Sequence, residues 1–546
     1  MNGWVHRPGR PLALSALSGA VALVVLVPLA FLLVEAAGVG PSRVASLIWR
    51  PLTAHLLWNT VRLTVVVSAL CTAIGVGAAW LVERTDVPGR RIWAVLLVVP
   101  LAVPDFVVSF GWASLSNRVA GFPGAVLVMT LAVYPLVYLP VASSLRNADP
   151  ALEEVARSQG FGPWGTWWRV TVGQARVGIL GGCLLVALVI LAEYGAFEIL
   201  GYQTFTTEIF TEFGSFSVPT TAALSLVLVA LGLVVLAGEQ AGQGRARVSR
   251  ADRMAQRATG RHALGRWKGP ALAGLSALVG LALGVPVGSA AYWWAIGAKG
   301  VIIGSSMAGD AWHTFVYSAS AAALATLAAL PVAILAVRHR GRAHLVLERS
   351  TYVVLAIPGV VIALSLAYFS EKYAGGVWYQ TAPMLVAAYA IMFFPLALVG
   401  VRASVAQAPP QVEEVARSLG QRPWAVLWRV TRPLVGPGLA AAFALVFLSA
   451  VTELTATLML VPTGVYTLAT QFWDYEQNLA YGQAAPFALL IIAVAALPSY
   501  VLGRFFDRLP ARSVVVVTSS ARAGPRPGSR SGIAQPAPAG PSRARP

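Results

Sequence analysis

Four charged side chains interrupt stretches that are otherwise apolar: Arg62, Asp105, Glu193 and Glu453. A charge inside an apolar span is costly, and it marks a transport path, a relay or a buried pair. Glu193 and Glu453 occupy corresponding places at the ends of two such spans. Brought together beside Tyr194, they would form an oxygen-rich set of the kind a hard cation prefers. The same pair would serve equally as an interhelical hydrogen bond or a gate contact that never meets cargo. A second acidic set lies between the apolar spans. EEVARSQGFGPWGTWWRVT at Glu153–Thr171 returns as EEVARSLGQRPWAVLWRVT at Glu413–Thr431, with thirteen of nineteen positions identical. A polar segment repeated this closely presents one docking surface twice, which points to a symmetric partner.

The elements that must hold these groups are transmembrane helices. The 546 residues have a mean hydropathy of +0.71 and only 11% charged residues, where a soluble domain carries about 25%. Twelve apolar spans are expected, near 12–35, 56–82, 92–116, 123–145, 178–200, 218–237, 269–295, 311–336, 345–369, 381–402, 436–456 and 484–506. About 20 apolar residues cross a bilayer. Leu12–Val34 follows Arg7 and Arg10, yet it is too long for a signal peptide and lacks a small-x-small cleavage site, so it reads as a retained helix. The predicted fold is all-α and polytopic, in two parallel six-helix repeats. The first half covers 1–238, a basic linker 239–268, and the second half 269–508. The Pro-, Ser- and Arg-rich tail at 509–546 cannot bury a core and reads as disordered.

Net charge is +18, and its placement decides its meaning. With a cytoplasmic N-terminus and alternating spans, nearly all basic clusters fall on one face, as the positive-inside rule requires. The charge therefore reports topology rather than nucleic-acid binding. Both termini and both repeated segments are predicted to be cytoplasmic, in a multi-pass chain contacting membrane lipid. Cys71 and Cys183 fall inside apolar runs and read as buried free thiols. His55, His313, His339 and His344 are scattered and suggest no metal cluster.

The halves also correspond outside the repeated segment. Trp58-Asn59-Thr60 matches Trp312-His313-Thr314, Pro104-Asp105 matches Pro358-Gly359, and Glu193 matches Glu453. Within the segment, Asp149 is a helix N-cap and Pro150 suits the first turn. Glu153 and Glu154 sit at the positive end of the helix dipole. Leu152, Val155, Ala156 and Gln159 can line one stripe. Gly160 closes the helix, and Pro163 opens a second short helix. The second copy repeats this at Pro410, Glu413, Glu414, Gly420 and Pro423. A competing reading is an amphipathic hairpin resting on lipid headgroups.

Glu154-x-Ala156-x-x-x-Gly160 and Glu414-x-Ala416-x-x-x-Gly420 resemble the EAA loop of binding-protein-dependent ABC importer permeases. The resemblance extends over nearly the whole chain, including the fusion of two halves. It departs at Val155 and Val415, which replace the family's middle alanine, and at Gly173, where the second copy keeps Pro433. It implies that 149–173 and 409–433 are coupling loops. Glu153, Glu154, Ala156, Gly160, Glu413, Glu414, Ala416 and Gly420 would then meet ABC ATPase subunits, two copies being expected. An extracytoplasmic solute-binding protein would dock on the other face. Glu193-Tyr194-Gly195-Ala196 and Glu453-Leu454-Thr455-Ala456 are similar to the ferric-iron permeases, which implies iron(III) cargo, with Asp105, Glu193, Tyr194 and Glu453 along the path. Permeases for thiamine and other small solutes share this architecture. The three lysines include none in a G-x-x-x-x-G-K-[ST] loop, so ATP would be used by the partner subunit. No catalytic residue, bound cofactor or resident metal is expected in this chain. A secondary carrier of two six-helix halves is the rival from another class; it would need a buried ion relay and no ATPase.

Overall fold

The computed structural model describes residues 12–215, 217–244, 262–297, 305–338, 347, 350–351, 353–408 and 410–508. His339, His344, the tail and most of the predicted linker lie outside these residues. The protein is an all-α polytopic membrane protein. Among the described residues, eight helices are long and apolar enough to cross a membrane, and two sharply bent pairs raise the number to ten. The remaining two predicted spans fall on Gly359–Tyr373 and Tyr481–Arg508.

Two predicted spans are broken rather than straight. The span at 92–116 bends by 90° between Arg90–Ala102 and Asp105–Ala113. Pro100 and Pro104 sit at this break, where a missing amide hydrogen and ring clashes prevent a continuous helix. Ala382–Met392 and Phe394–Gln407 meet at 57°, with Pro395 in the first turn of the second piece. The helix predicted at 178–200 ends instead at Ala192, and a separate short helix runs over Gly195–Ile199.

Small residues let the helices approach closely. The Val172–Ala192 helix crosses Pro135–Arg146 at Gly178 and Gly182, where an added Cβ would lie 2.6 Å from the Pro140 carbonyl oxygen and 2.7 Å from the Val137 Cα. The corresponding Arg432–Val451 helix crosses Phe394–Gln407 at Gly438, where a Cβ would lie 2.4 Å from Ser404. In lipid, where apolar burial gives helices no net attraction, such backbone approach is a main source of packing energy.

The two cores are exchanged between the sequence halves. One joins first-half residues such as Val107, Val137 and Phe197 to Leu275 and Ala290 and to Ala488 and Ile491 near the end of the second half. The other joins second-half residues such as Ala325, Val361 and Leu398 to Val25, Leu32, Ala222 and Leu228 of the first half. The outer spans of each half thus complete the core of the other. Hydropathy shows that a span is apolar but not which neighbour covers it, so this exchange was not visible in the sequence.

Candidate functional site

Each repeated segment forms a helix of nine residues, Pro150–Ser158 and Pro410–Ser418. Asp149 Oδ1 accepts from the Ala151 amide at 2.9 Å, satisfying one of the helix's orphan donors. Gly160 and Gly420 end the helices with φ of +85° and +81°, a left-handed conformation that favours glycine. Pro163–Thr166 is no independent hairpin arm. It runs through a wide turn at Trp167–Thr171 directly into Val172–Ala192. The second copy does the same through Leu427–Thr431 into Arg432–Val451. The Gly173/Pro433 difference therefore leaves both exits alike, because proline is tolerated in a first helical turn.

The loop helices invert the expected stripe. Glu153 and Ala156 are buried, as are Glu413 and Ala416. Leu152 and Val155 are 49% and 51% exposed, and Val412 and Val415 are 44% and 57% exposed. Glu154 and Glu414 also face outward. Each helix hides a charge and shows its aliphatic side chains. Exposed tryptophans continue the apolar surface, Trp168 in the first loop and Trp424 and Trp428 in the second.

The hidden charges are paired. Glu153 forms an ion pair with Arg84, at the end of Pro51–Arg84, and accepts from Thr171 Oγ1 at 2.9 Å. Glu413 takes a two-pronged contact from Arg338, at the end of Ser305–Arg338, with both N···O distances 2.7 Å. It also accepts from Thr431 Oγ1 at 2.8 Å. Arg157 and Arg417 approach the same carboxylates at 3.9 and 3.5 Å. Burial pushes the Glu413 carboxyl up, but the Arg338 and Thr431 hydrogen bonds and the Arg338 and Arg417 charges outweigh it, so the net shift is downward. Glu153 and Glu413 therefore position the loops and do not display the acidic groups expected of them. The arginine partners were missed, although the register pairing Trp58 with Trp312 also pairs Arg84 with Arg338.

The end of the predicted linker adds a strap to the first loop. His262 pairs with Thr85 through backbone hydrogen bonds, its amide donating to the Arg84 carbonyl at 2.9 Å. Its ring stacks on Trp80 and lies 3.5 Å from the Arg157 guanidinium. The Leu264 amide donates to Asp86 Oδ1 at 2.8 Å, and Lys268 pairs with Asp86 at 2.8 Å. Burial, then Arg157 and Arg84, hold the His262 pKa down against Glu153. The predicted linker is thus partly structure: Val218–Gly244 enters it from one side and Gly265–Trp267 from the other.

At the opposite end of the bundle, Glu193 and Glu453 play matching roles. Glu193 Oε1 accepts from the Ala196 amide at 2.8 Å, and Glu453 Oε1 from the Ala456 amide at 2.9 Å. Each carboxylate thereby caps a short helix. The surroundings of these carboxylates are closely packed. Tyr194 is buried, stacked on Phe210 with ring centres 4.3 Å apart and 5.7 Å from Trp473. Phe106 meets Phe472 at 5.3 Å, and Gly195 packs so closely that a Cβ would lie 2.7 Å from Leu454. Among the described residues, no three His, Cys, Asp or Glu side chains are grouped to hold a metal ion. A polar cavity of about 340 Å³ lies on the seam nearby, lined by Asn117, Glu198, Glu476 and Gln477. Burial, with Glu198 adding to it, pushes Glu476 up to about 7.

Comparison with known proteins agrees with this architecture. The profile of the family described as binding-protein-dependent transport system inner membrane component matches residues 72–241 and 321–515. The Fe(3+)-transport system permease protein FbpB 2 of Haemophilus influenzae is 37% identical over 506 residues, covering 91% of this chain and 98% of that protein. The ferric transport system permease protein FbpB of Actinobacillus pleuropneumoniae is 20% identical, covering 83% of this chain and 71% of that protein. The sulfate transport system permease protein CysW of Escherichia coli is 27% identical over 33% of this chain and 67% of its own length. The chain belongs to the family of binding-protein-dependent inner membrane transport components.

Proposed function

We propose that this permease serves an ATP-driven importer for iron(III). A separate ABC ATPase supplies the energy, and an extracytoplasmic binding protein supplies the cargo. The observation that carries the coupling role is the pair of inverted loop helices. Two polar helices each bury their paired glutamate and expose aliphatic and tryptophan side chains. A contiguous exposed apolar patch marks an interaction site, and two copies at corresponding positions suit two copies of one partner. The charge distribution supports placing both loops and both termini in the cytosol. Leu152, Val155, Val412 and Val415 would then insert into the ATPase subunits, with Glu154 and Glu414 making polar contacts at the rim.

Iron(III) as cargo is supported by the 37% identity to an Fe(3+)-transport permease over 91% of the chain and by the oxygen donors Asp105, Glu193 and Glu453. The carboxylates give a passing hard cation weak, shared coordination, and the helix-cap bonds keep them from closing around it. Uptake into proteoliposomes, with the binding protein and ATPase reconstituted, tests this reading. Radioactive ferric ion should accumulate with ATP, and excess sulfate or thiamine should leave the uptake unchanged. Uptake that persists on a proton gradient without ATP would overturn the coupling scheme. ATP-dependent uptake of another solute, with none of iron, would overturn the cargo.

A further inference from the structure

Arg62 is the fourth of the charges that interrupt the apolar spans. It lies on Pro51–Arg84, well removed from the loop end of that helix. Its guanidinium lies 3.9 Å over the Phe122 ring, and Nη2 donates to Tyr202 Oη at 3.2 Å. Tyr202 Oη donates onward to the Asn59 carbonyl at 3.0 Å. Arg62 Nε is buried without a partner, and among the described residues Arg62 makes no ion pair. The repeat does not require it, because the register that pairs Trp58 with Trp312 puts Val316 at the matching place.

An apolar groove includes Phe122, the ring beneath the Arg62 guanidinium. It has a volume of about 420 Å³, and its walls include Val66, Leu70 and Ile74 on one side and Phe122, Val126 and Leu127 on the other. Arg62, Val66, Leu70 and Ile74 recur every four residues, so they form one stripe on the helix. Leu70 and Leu127 are exposed, so the groove opens to the surroundings of the bundle. From Val66 to Ile74 it runs about 12 Å along the helix. Trp58 and Trp312 are exposed one turn beyond Arg62 and its counterpart, and tryptophan gathers at the membrane–water boundary. Arg62 therefore sits about 6 Å inside that boundary, at the depth of phosphate and glycerol, with the groove continuing toward the acyl region.

We propose that this groove is a built site for one anionic glycerophospholipid in the leaflet at the end away from the coupling loops. One acyl chain fills the groove, and the headgroup phosphate accepts from Arg62. The charge is what selects the occupant: a half-buried guanidinium without a carboxylate partner needs an anion, and the apolar groove joined to it needs a tail. Free phosphate satisfies only the first requirement. A zwitterionic lipid satisfies the second but brings a cation to the same spot.

The test uses the full chain purified in mild detergent, with native mass spectrometry and titration by phosphatidylglycerol and phosphatidylcholine. One phosphatidylglycerol should remain bound per chain, with about fivefold preference over phosphatidylcholine. Arg62→Leu should reduce that preference to none, and Arg62→Lys should keep most of it. Leu70→Trp fills the groove without touching Arg62, and should lower retention of both lipids. Millimolar inorganic phosphate should not displace the lipid. Equal binding of both lipids to the wild type, unchanged preference in Arg62→Leu, or displacement by phosphate alone would each overturn the proposal. If Arg62→Leu does not fold, Leu70→Trp and the phosphate competition still decide it.

Discussion

Replacing Glu153 by alanine should release the first loop helix, Pro150–Ser158, from the spans it is paired to. The Arg84 side chain is 2% exposed and that of Glu153 is 8% exposed, and Arg84 Nη1 already lacks a hydrogen-bond partner. Removing one member of such a pair leaves a buried charge uncompensated and costs about 3–5 kcal/mol. At 1.36 kcal/mol per tenfold change, the loop should open at least a hundredfold more often. Arg338 is 19% exposed, so water can resolvate it. Glu413→Ala should accordingly cost less, about 1.5–3 kcal/mol, the range for hydrogen bonds to charged groups. Amide hydrogen exchange over residues 151–158 and 411–418 measures both openings in the same sample. The double change Arg84→Met with Glu153→Leu removes both charges and should recover most of the loss. Exchange within about threefold of wild type in Glu153→Ala would refute the reasoning. So would a double variant as unstable as the single one, because the cost would then not come from an orphaned charge.

Acidification gives the same test without mutation. The folded-state pKa of Glu413 is depressed, so on lowering the pH the opened loop takes up the proton first; the second loop should be fully held above the usual carboxylate range, near pH 4.3, and released progressively as the pH falls below that range through the depressed folded-state value. Glu154→Lys with Glu414→Lys should abolish transport while membrane insertion, read by protease protection, stays normal; unchanged uptake would remove the coupling role. His262→Ala should speed exchange in the first loop alone, by about tenfold for the loss of one to two kcal/mol of hydrogen bonding and stacking. Because its neutral form is favoured in the fold, wild-type protein should show the same loosening as the pH falls below about 6.5. Gly182→Leu drives a side chain into the Val137 backbone and should cost at least about 1–3 kcal/mol, seen as a lower melting temperature in detergent. The exchanged cores predict that residues 1–250 and 251–546, expressed as separate chains, are each aggregated alone and monodisperse when co-expressed; a well-behaved lone half would contradict the exchange.

Hydropathy, charge placement and internal repetition carried most of the architecture, because each is a property of a segment and its solvent. Span positions, the fold class and the two loop helices with their Asp149 and glycine caps were all legible. What escaped depends on partners distant in sequence. Glu153 looks like a surface charge until Arg84 is brought to it across 69 residues. Arg84 and Arg338 also correspond between the halves, 254 residues apart (338 minus 84) where the glutamates are 260 apart (413 minus 153), so the symmetry was present in the sequence, but both arginines were read only as topology signals. The break at Pro104 was hidden by continuous hydrophobicity on either side. The Glu193–Glu453 correspondence was correct in register, yet composition could not show that each carboxylate is committed to a helix cap.

If the loops dock the ATPase as proposed, their attachment would let a helix of only nine residues move a membrane domain. The first loop helix is fixed at three places: to the end of Pro51–Arg84 through Glu153, to the turn entering Val172–Ala192 through Thr171, and to that helix's first turn through the Asp149–Gln174 hydrogen bonds of 2.8 and 3.3 Å. A force on Leu152 and Val155 therefore reaches two spans together, where a free hinge at Gly160 would absorb it. Those spans belong to a core completed by residues from the beginning and end of the second half, and the second loop acts on the reciprocal core. Each loop is thus attached to a packing unit that differs from a sequence half. Phe106, Tyr194, Leu454 and Phe472 all belong to the first of these units, and Tyr194 stacks on Phe210, which packs against both, so a displacement of one unit against the other would reach that packing through Phe210. A loop attached only by its backbone, or halves packed as sequence halves, would offer no such lever.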